Sequence, residues 1–163
     1  MVAYTTRLPA GFPGQVSRED ALLIEPGIID SSTPPTAFGT FCKVVSGKIQ
    51  PIASGDAATV VHGLLAQPYP VQATTVTSAL SSAAAPPSSG MVGVLRRGYM
   101  AVTLAQGTAA KKGQVYVRVT ADTGKAVGDI ETAADSAKCV AVTGCYFTGP
   151  ADANGVVEVE FNL

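Results

Sequence analysis

Small apolar residues recur at every second position through the C-terminal half of this sequence. In GQVYVRVT, Val115, Val117 and Val119 alternate with Tyr116 and Arg118; in GVVEVEFNL, Val157, Val159, Phe161 and Leu163 alternate with Glu158, Glu160 and Asn162. Successive side chains of an extended strand leave opposite faces, so this pattern buries one face and wets the other. A helix would need a period of about 3.6 instead. Glu158 and Glu160 fall on the wet face and read as solubility.

The rest of the chain is punctuated to match. With 17 glycines and 11 prolines, most apolar runs are too short for anything wound with helices. ALLIEPGII predicts a short strand, Leu22 to Glu25, stopped by Pro26-Gly27. AFGTFCKVVSGKIQPI predicts a hairpin about Ser46-Gly47, and TVVHGLLAQ a core or bulged strand interrupted at His62-Gly63. MVGVLRR and YMAVTL flank Gly98 and predict a tight hairpin with Arg96, Arg97 and Tyr99 at its tip. Its candidate buried residues are Val92, Val94, Met100 and Val102. KCVAVTGCYFTG reads as a strand that bends at Gly144, and IETAADSAKCV holds the one helical turn.

Two stretches break the pattern. LPAGFPG packs prolines and glycines into residues 8–14 and reads as extended, with Phe12 as an apolar anchor. Residues 67–90 are rich in Ser, Thr, Ala and Pro and nearly free of charge, a long connection for a compact domain. That segment suits an excursion packed on a neighbouring chain. The fold class is therefore all-β: a small antiparallel β-barrel or sandwich, jelly-roll-like. It has an extended N-terminal arm over 1–20, a single β-domain over 21–163 and a long Ala/Pro/Ser-rich loop over 67–90.

Charge narrows the function. Only 14% of residues are charged and the net charge is −1, against roughly 25% charged in an average soluble protein. No basic run offers the footprint of a nucleic-acid binder. The N-terminus has no apolar stretch long enough for a signal peptide or membrane helix, which fits assembly in a cytosol. Cys42, Cys139 and Cys145 are odd in number and lack C-x-x-C spacing, so they read as buried small hydrophobes. No cofactor or metal set is visible.

Catalytic furniture is sparse. Asp122-Thr123-Gly124 matches the loop of aspartic proteases, in which two carboxylates share a proton and one copy would need a dimer to complete the pair. The same ADTGK is a β-turn sequence, and the turn is the preferred reading. His62, the lone histidine, sits in an apolar run, and no G-x-S-x-G elbow supplies a nucleophile.

Three segments carry a resemblance: LPAGFPGQVSR (Leu8 to Arg18), VHGLLAQPYPVQ (Val61 to Gln72) and VGVLRRGYMAVTL (Val92 to Leu104). Together they resemble the capsid cement, or decoration, proteins of tailed bacteriophages. The resemblance implies a virion protein on the outer surface of an icosahedral head, assembled in the bacterial host cytoplasm. It would hold neighbouring major capsid subunits together against packaged-DNA pressure. Its partners would be the major capsid protein and further copies of itself, as homotrimer or homodimer, with no direct nucleic acid and no membrane. Candidate interface residues are Arg7, Phe12, Arg18, Tyr69, Arg96, Arg97 and Tyr99. A tail or baseplate β-module is the alternative structural reading, and a dimeric protease through Asp122 the distant one.

Overall fold

The computed structural model describes residues 11–68 and 85–162. Arg7, Tyr69 and most of the 67–90 connection lie outside the described residues. Nine strands form the chain: β1 Val16–Ile29, β2 Phe41–Val45, β3 Lys48–Pro51, β4 Gly63–Ala66, β5 Gly90–Gln106, β6 Gln114–Arg118, β7 Ile130–Glu131, β8 Cys139–Phe147 and β9 Val156–Phe161. The chain is all β, as its alternation predicts. Its helical content among the described residues is two short 3₁₀ turns, Ala58–Val60 and Ser136–Lys138.

The pairings close two rings that share β5. One runs β1-β3-β2-β4-β5 and back to β1, the other β5-β7-β6-β8-β9 and back to β5. A closed ring with an odd number of strands cannot be antiparallel throughout, because directions cannot alternate around it. Each five-stranded ring accordingly has one parallel pair, β1 with β3 and β5 with β7. Both parallel contacts are short, which leaves the antiparallel ladders to hold the sheet.

Gly98 is where the expected hairpin gives way to a different solution. The two apolar runs are not two strands but one, β5, and it pairs along one flank with β1 on both sides of Gly98. On its other flank β4 meets Gly93 to Leu95, and β9 meets Gly98 to Thr103. Gly98 has φ +132, a backbone that disfavours side chains, so the strand bends there without reversing. Residues 19–22 of β1 all stand opposite this bend, and Ala21 adopts φ 55 within the excursion. Pro26 also fails to stop β1, which runs on to Ile29. That edge needs no donor from Pro26, since its neighbour there is β5 alone. β1 moreover begins at Val16, inside the segment read as arm.

Other sequence expectations hold. Ser46 and Gly47 both take positive φ between β2 and β3, as a two-residue hairpin turn of type I′ demands. Gly144 bends β8 at φ +68, and the β6–β8 register slips there. The run before His62 is a 3₁₀ turn, so only Gly63–Ala66 of that segment is strand.

The core divides with the rings. Phe41, Leu64, Leu95, Met100, Val115, Val117, Phe147 and Val159 belong to one continuous cluster, and Ile29, Phe38, Cys42, Ile49, Leu65, Val92 and Val94 to a second. All three cysteines are buried and unbridged. Burial pushes the Cys42 thiol up to about 12 and raises Cys145 as well.

Arg118 corrects the wet-face reading of β6. It is 0% exposed, its Nε and Nη2 donate to Glu131, and Nη2 also donates to Asp135 at 2.7 Å. The segment after β6 folds over that face, and the fork of a guanidinium satisfies both carboxylates at once. The Arg118 hydrogen bond holds Asp135 below the ordinary carboxylate value.

Three outcomes follow for stability. Gly98→Ala costs about 1–3 kcal/mol in denaturant unfolding, because its Cβ would stand 3.3 Å from Leu95 and 3.4 Å from Leu22 on a strained backbone. Arg118→Met costs more, since Glu131 stays buried without its partner, and Arg118→Met with Glu131→Leu recovers much of the loss. The depressed Asp135 contributes stability above the ordinary carboxylate range and loses it as pH falls below about 4. A melting-temperature profile should therefore drop in that range, and less steeply in Asp135→Asn.

Candidate functional site

Most of β1 faces solvent. From Arg18 to Pro26 every residue is exposed, and Ile28 is too. Strands of a monomer do not ordinarily spend large apolar side chains this way. Leu22, Leu23, Ile24 and Ile28 are all exposed, and Met91, opposite Ile28 on β5, is 69% exposed. The outer edge of β1 gains its partner β3 only at Ile28 and Ile29, so among the described residues no strand pairs with that edge before Ile28. The result is a β1–β5 ribbon with an apolar surface and an open edge.

The lead-in fixes where this ribbon starts. Gly14 N–H donates to Ala101 O, Ala101 N–H to Gln15 O, and Gln67 N–H to Gly14 O, each at 2.8–2.9 Å. Gly14 allows the close approach: a Cβ there would stand 2.5 Å from Phe38 Cβ. Phe12 is thereby held half-buried on the wall of an apolar groove of about 570 Å³. Ala66 of β4 and Gly93 of β5 are register partners on its lining, and Leu22, Ile24 and Met91 form its far side. A Cβ on Gly93 would reach within 3.1 Å of Ile24, so the missing side chain keeps the groove open.

A polar row crosses the adjoining face. Arg18, Tyr99, Glu160, Tyr146 and Gln114 are successive register partners on β1, β5, β9, β8 and β6. Arg18 lies over the Tyr99 ring at 4.3 Å. Its Nε and Nη2 donate to Glu158 at 3.1 and 2.5 Å, and Thr148 Oγ1 donates to the same carboxylate at 2.6 Å. Burial pushes Glu158 up, but the hydrogen bonds from Arg18 and Thr148 outweigh it and hold the carboxyl below its ordinary value. Lys112 covers Glu160 at 2.7 Å. The two glutamates of β9 are therefore paired, one of them buried, and not the bare solubilising pair that alternation suggests.

The expected cluster at residues 96–99 comes apart in part. Arg18 and Tyr99 meet. Arg96 and Arg97, adjacent on a strand, diverge: Arg97 is exposed, while Arg96 is half-buried with its Nε 3.4 Å from Glu25 Oε2. His62 approaches the same carboxylate at 3.7 Å, and burial lowers its basicity, helped by Arg96. The apolar residues of β1 and Met91 escaped sequence reasoning. Their one signal is the run ALLIEPGII, which shows no alternation at all.

Asp122 sits in the turn its sequence predicts, bridged to Lys125, with its carboxylate accepting from Thr123 N–H and from Lys138 Nζ. Lys138 holds it ionised, below its ordinary value. Proton-sharing chemistry needs a second carboxylate at that place, and a cation occupies it.

The family model of the XM1 gp53 minor capsid protein matches residues 1–161. Among solved structures, a chain of "The capsid of Myoviridae Phage XM1" superposes with a TM-score of 0.69 and 20% sequence identity, covering 98% of this chain and 95% of that one. Identity at that level speaks for the fold alone. No curated protein sequence matches the chain. The family match takes in both rings and the lead-in before them, and the chain belongs to the XM1 gp53 minor capsid protein family.

Proposed function

We propose that this protein is a structural component of a phage virion that binds the outer surface of the capsid and cements neighbouring major capsid subunits. The observation that carries this reading is the exposed apolar β1–β5 ribbon with its open edge. Such a surface is costly in water and favourable against protein. Its family's name places it among minor capsid proteins.

The physics is linkage. A protein that binds the assembled shell and not its separated subunits adds its binding free energy to the shell. Two or three copies joined together and engaging several subunits gain avidity without stronger single contacts. The open edge of β1 offers main-chain groups to an extended segment of a shell subunit, while Leu23, Ile28 and Met91 offer apolar area. Arg18 works differently from a free cation. Bound to Glu158 and stacked on Tyr99, it enters an interface already ordered, which reduces the entropy lost on binding.

Co-sedimentation with heads lacking this protein tests the reading. Wild-type protein should pellet with heads. Leu23→Asp with Ile28→Asp should weaken binding about 30-fold, the loss of one hot spot of about 2 kcal/mol, with an unchanged melting temperature because both residues are already exposed. Undiminished binding by this variant refutes the reading.

A further inference from the structure

The groove beside the β1–β5 ribbon holds an unanswered polar atom. Gln67 lines it, is 7% exposed, and its Oε1 accepts no hydrogen bond. An amide oxygen withheld from water and left unpaired is unfavourable, and such groups are uncommon in folded proteins. The surrounding lining is apolar: Phe12, Phe38, Leu22, Ile24 and Met91. Glu19 stands on the same lining and carries the one carboxylate there.

From this arrangement we infer that the groove is a socket for an indole side chain of a shell subunit, carried on an extended segment with a cationic residue beside it. This inference rests on the capsid-binding reading above and names the chemistry of the partner. An indole has a large apolar body and a single N–H tip that donates and cannot accept. The body matches the walls, and the tip supplies the donor that Gln67 Oε1 lacks. The neighbouring cation matches Glu19. The socket adjoins the exposed apolar residues of β1, so one partner segment can cover both.

The source is another polypeptide and not a second copy. The chain contains no tryptophan. Its described tyrosines, Tyr99, Tyr116 and Tyr146, lie on strands of its own sheet and do not project from it as an inserted segment must.

N-acetyl-tryptophanamide and N-acetyl-phenylalaninamide are suitable probes, titrated in the millimolar range against isotope-labelled protein by NMR. Both should shift Ala66, Gly93 and Met91, with the indole bound about fivefold more tightly, the worth of one added hydrogen bond. Gln67→Met should keep phenyl binding and abolish the preference. Gly93→Val, which fills the floor, should abolish binding of both probes, and a dispersed spectrum shows that each variant is folded. Equal affinity for the two probes, or a preference that survives Gln67→Met, overturns the inference. Probe binding as described by a protein that fails to sediment with heads leaves the socket standing and removes the capsid reading instead.

Discussion

Strand β5 is the backbone that every other part of this fold hangs from. It contributes to both rings, and its bend at Gly98 lets one flank pass from β4 to β9 while β1 keeps to the other. Two half-length strands joined by a turn could not do this, because the two rings would then be tied only by a flexible link. The continuous strand couples them, so the orientation of the exposed ribbon is set by the packed core on the far side of Gly98. Met100 and Val102, just past the bend, are fully buried, while Met91 before it is the most exposed of the large apolar residues.

Ring closure explains where the chemistry of attachment sits. In the second ring, β6, β8 and β9 present no open edge of comparable length, and the buried Arg118 network covers a further face. In the first ring β1 meets β3 only at its last residues. Long open edges invite pairing with other chains, and proteins that must avoid it blunt them with charge or proline. Here Glu19, Asp20, Glu25 and Pro26 interrupt the edge, yet Leu22, Leu23, Ile24 and Ile28 remain between them. That mixture discourages indiscriminate pairing and still leaves area for one shaped partner.

Much of this was legible in the sequence where local rules decide. Val115 and Val117, and Val157 and Val159, announce their strands by period two; Ser46-Gly47 and Asp122 to Lys125 announce their turns by residue type. The misreadings share one cause, which is that distant segments decided them. Gly98 serves a hairpin tip and a bent strand equally well, and only β1, drawn alongside, shows that the chain runs through. Arg118 and Glu158 occupy outward positions by alternation, but residues 122–138 and Arg18 respectively cover them. The candidate site suffered most. ALLIEPGII looks like any short buried strand until its neighbours are known, and the value of Gln67 lies in a partner it does not have.

The central claim is that the β1–β5 ribbon meets the capsid. Amide hydrogen exchange, compared between free protein and protein bound to heads, addresses it residue by residue. The account predicts that β1 amides between Ser17 and Gly27 slow by about tenfold or more on binding, while those of β6 and β8 stay as they were. Unchanged exchange along β1, with slowing confined to β6 or β8, would contradict it.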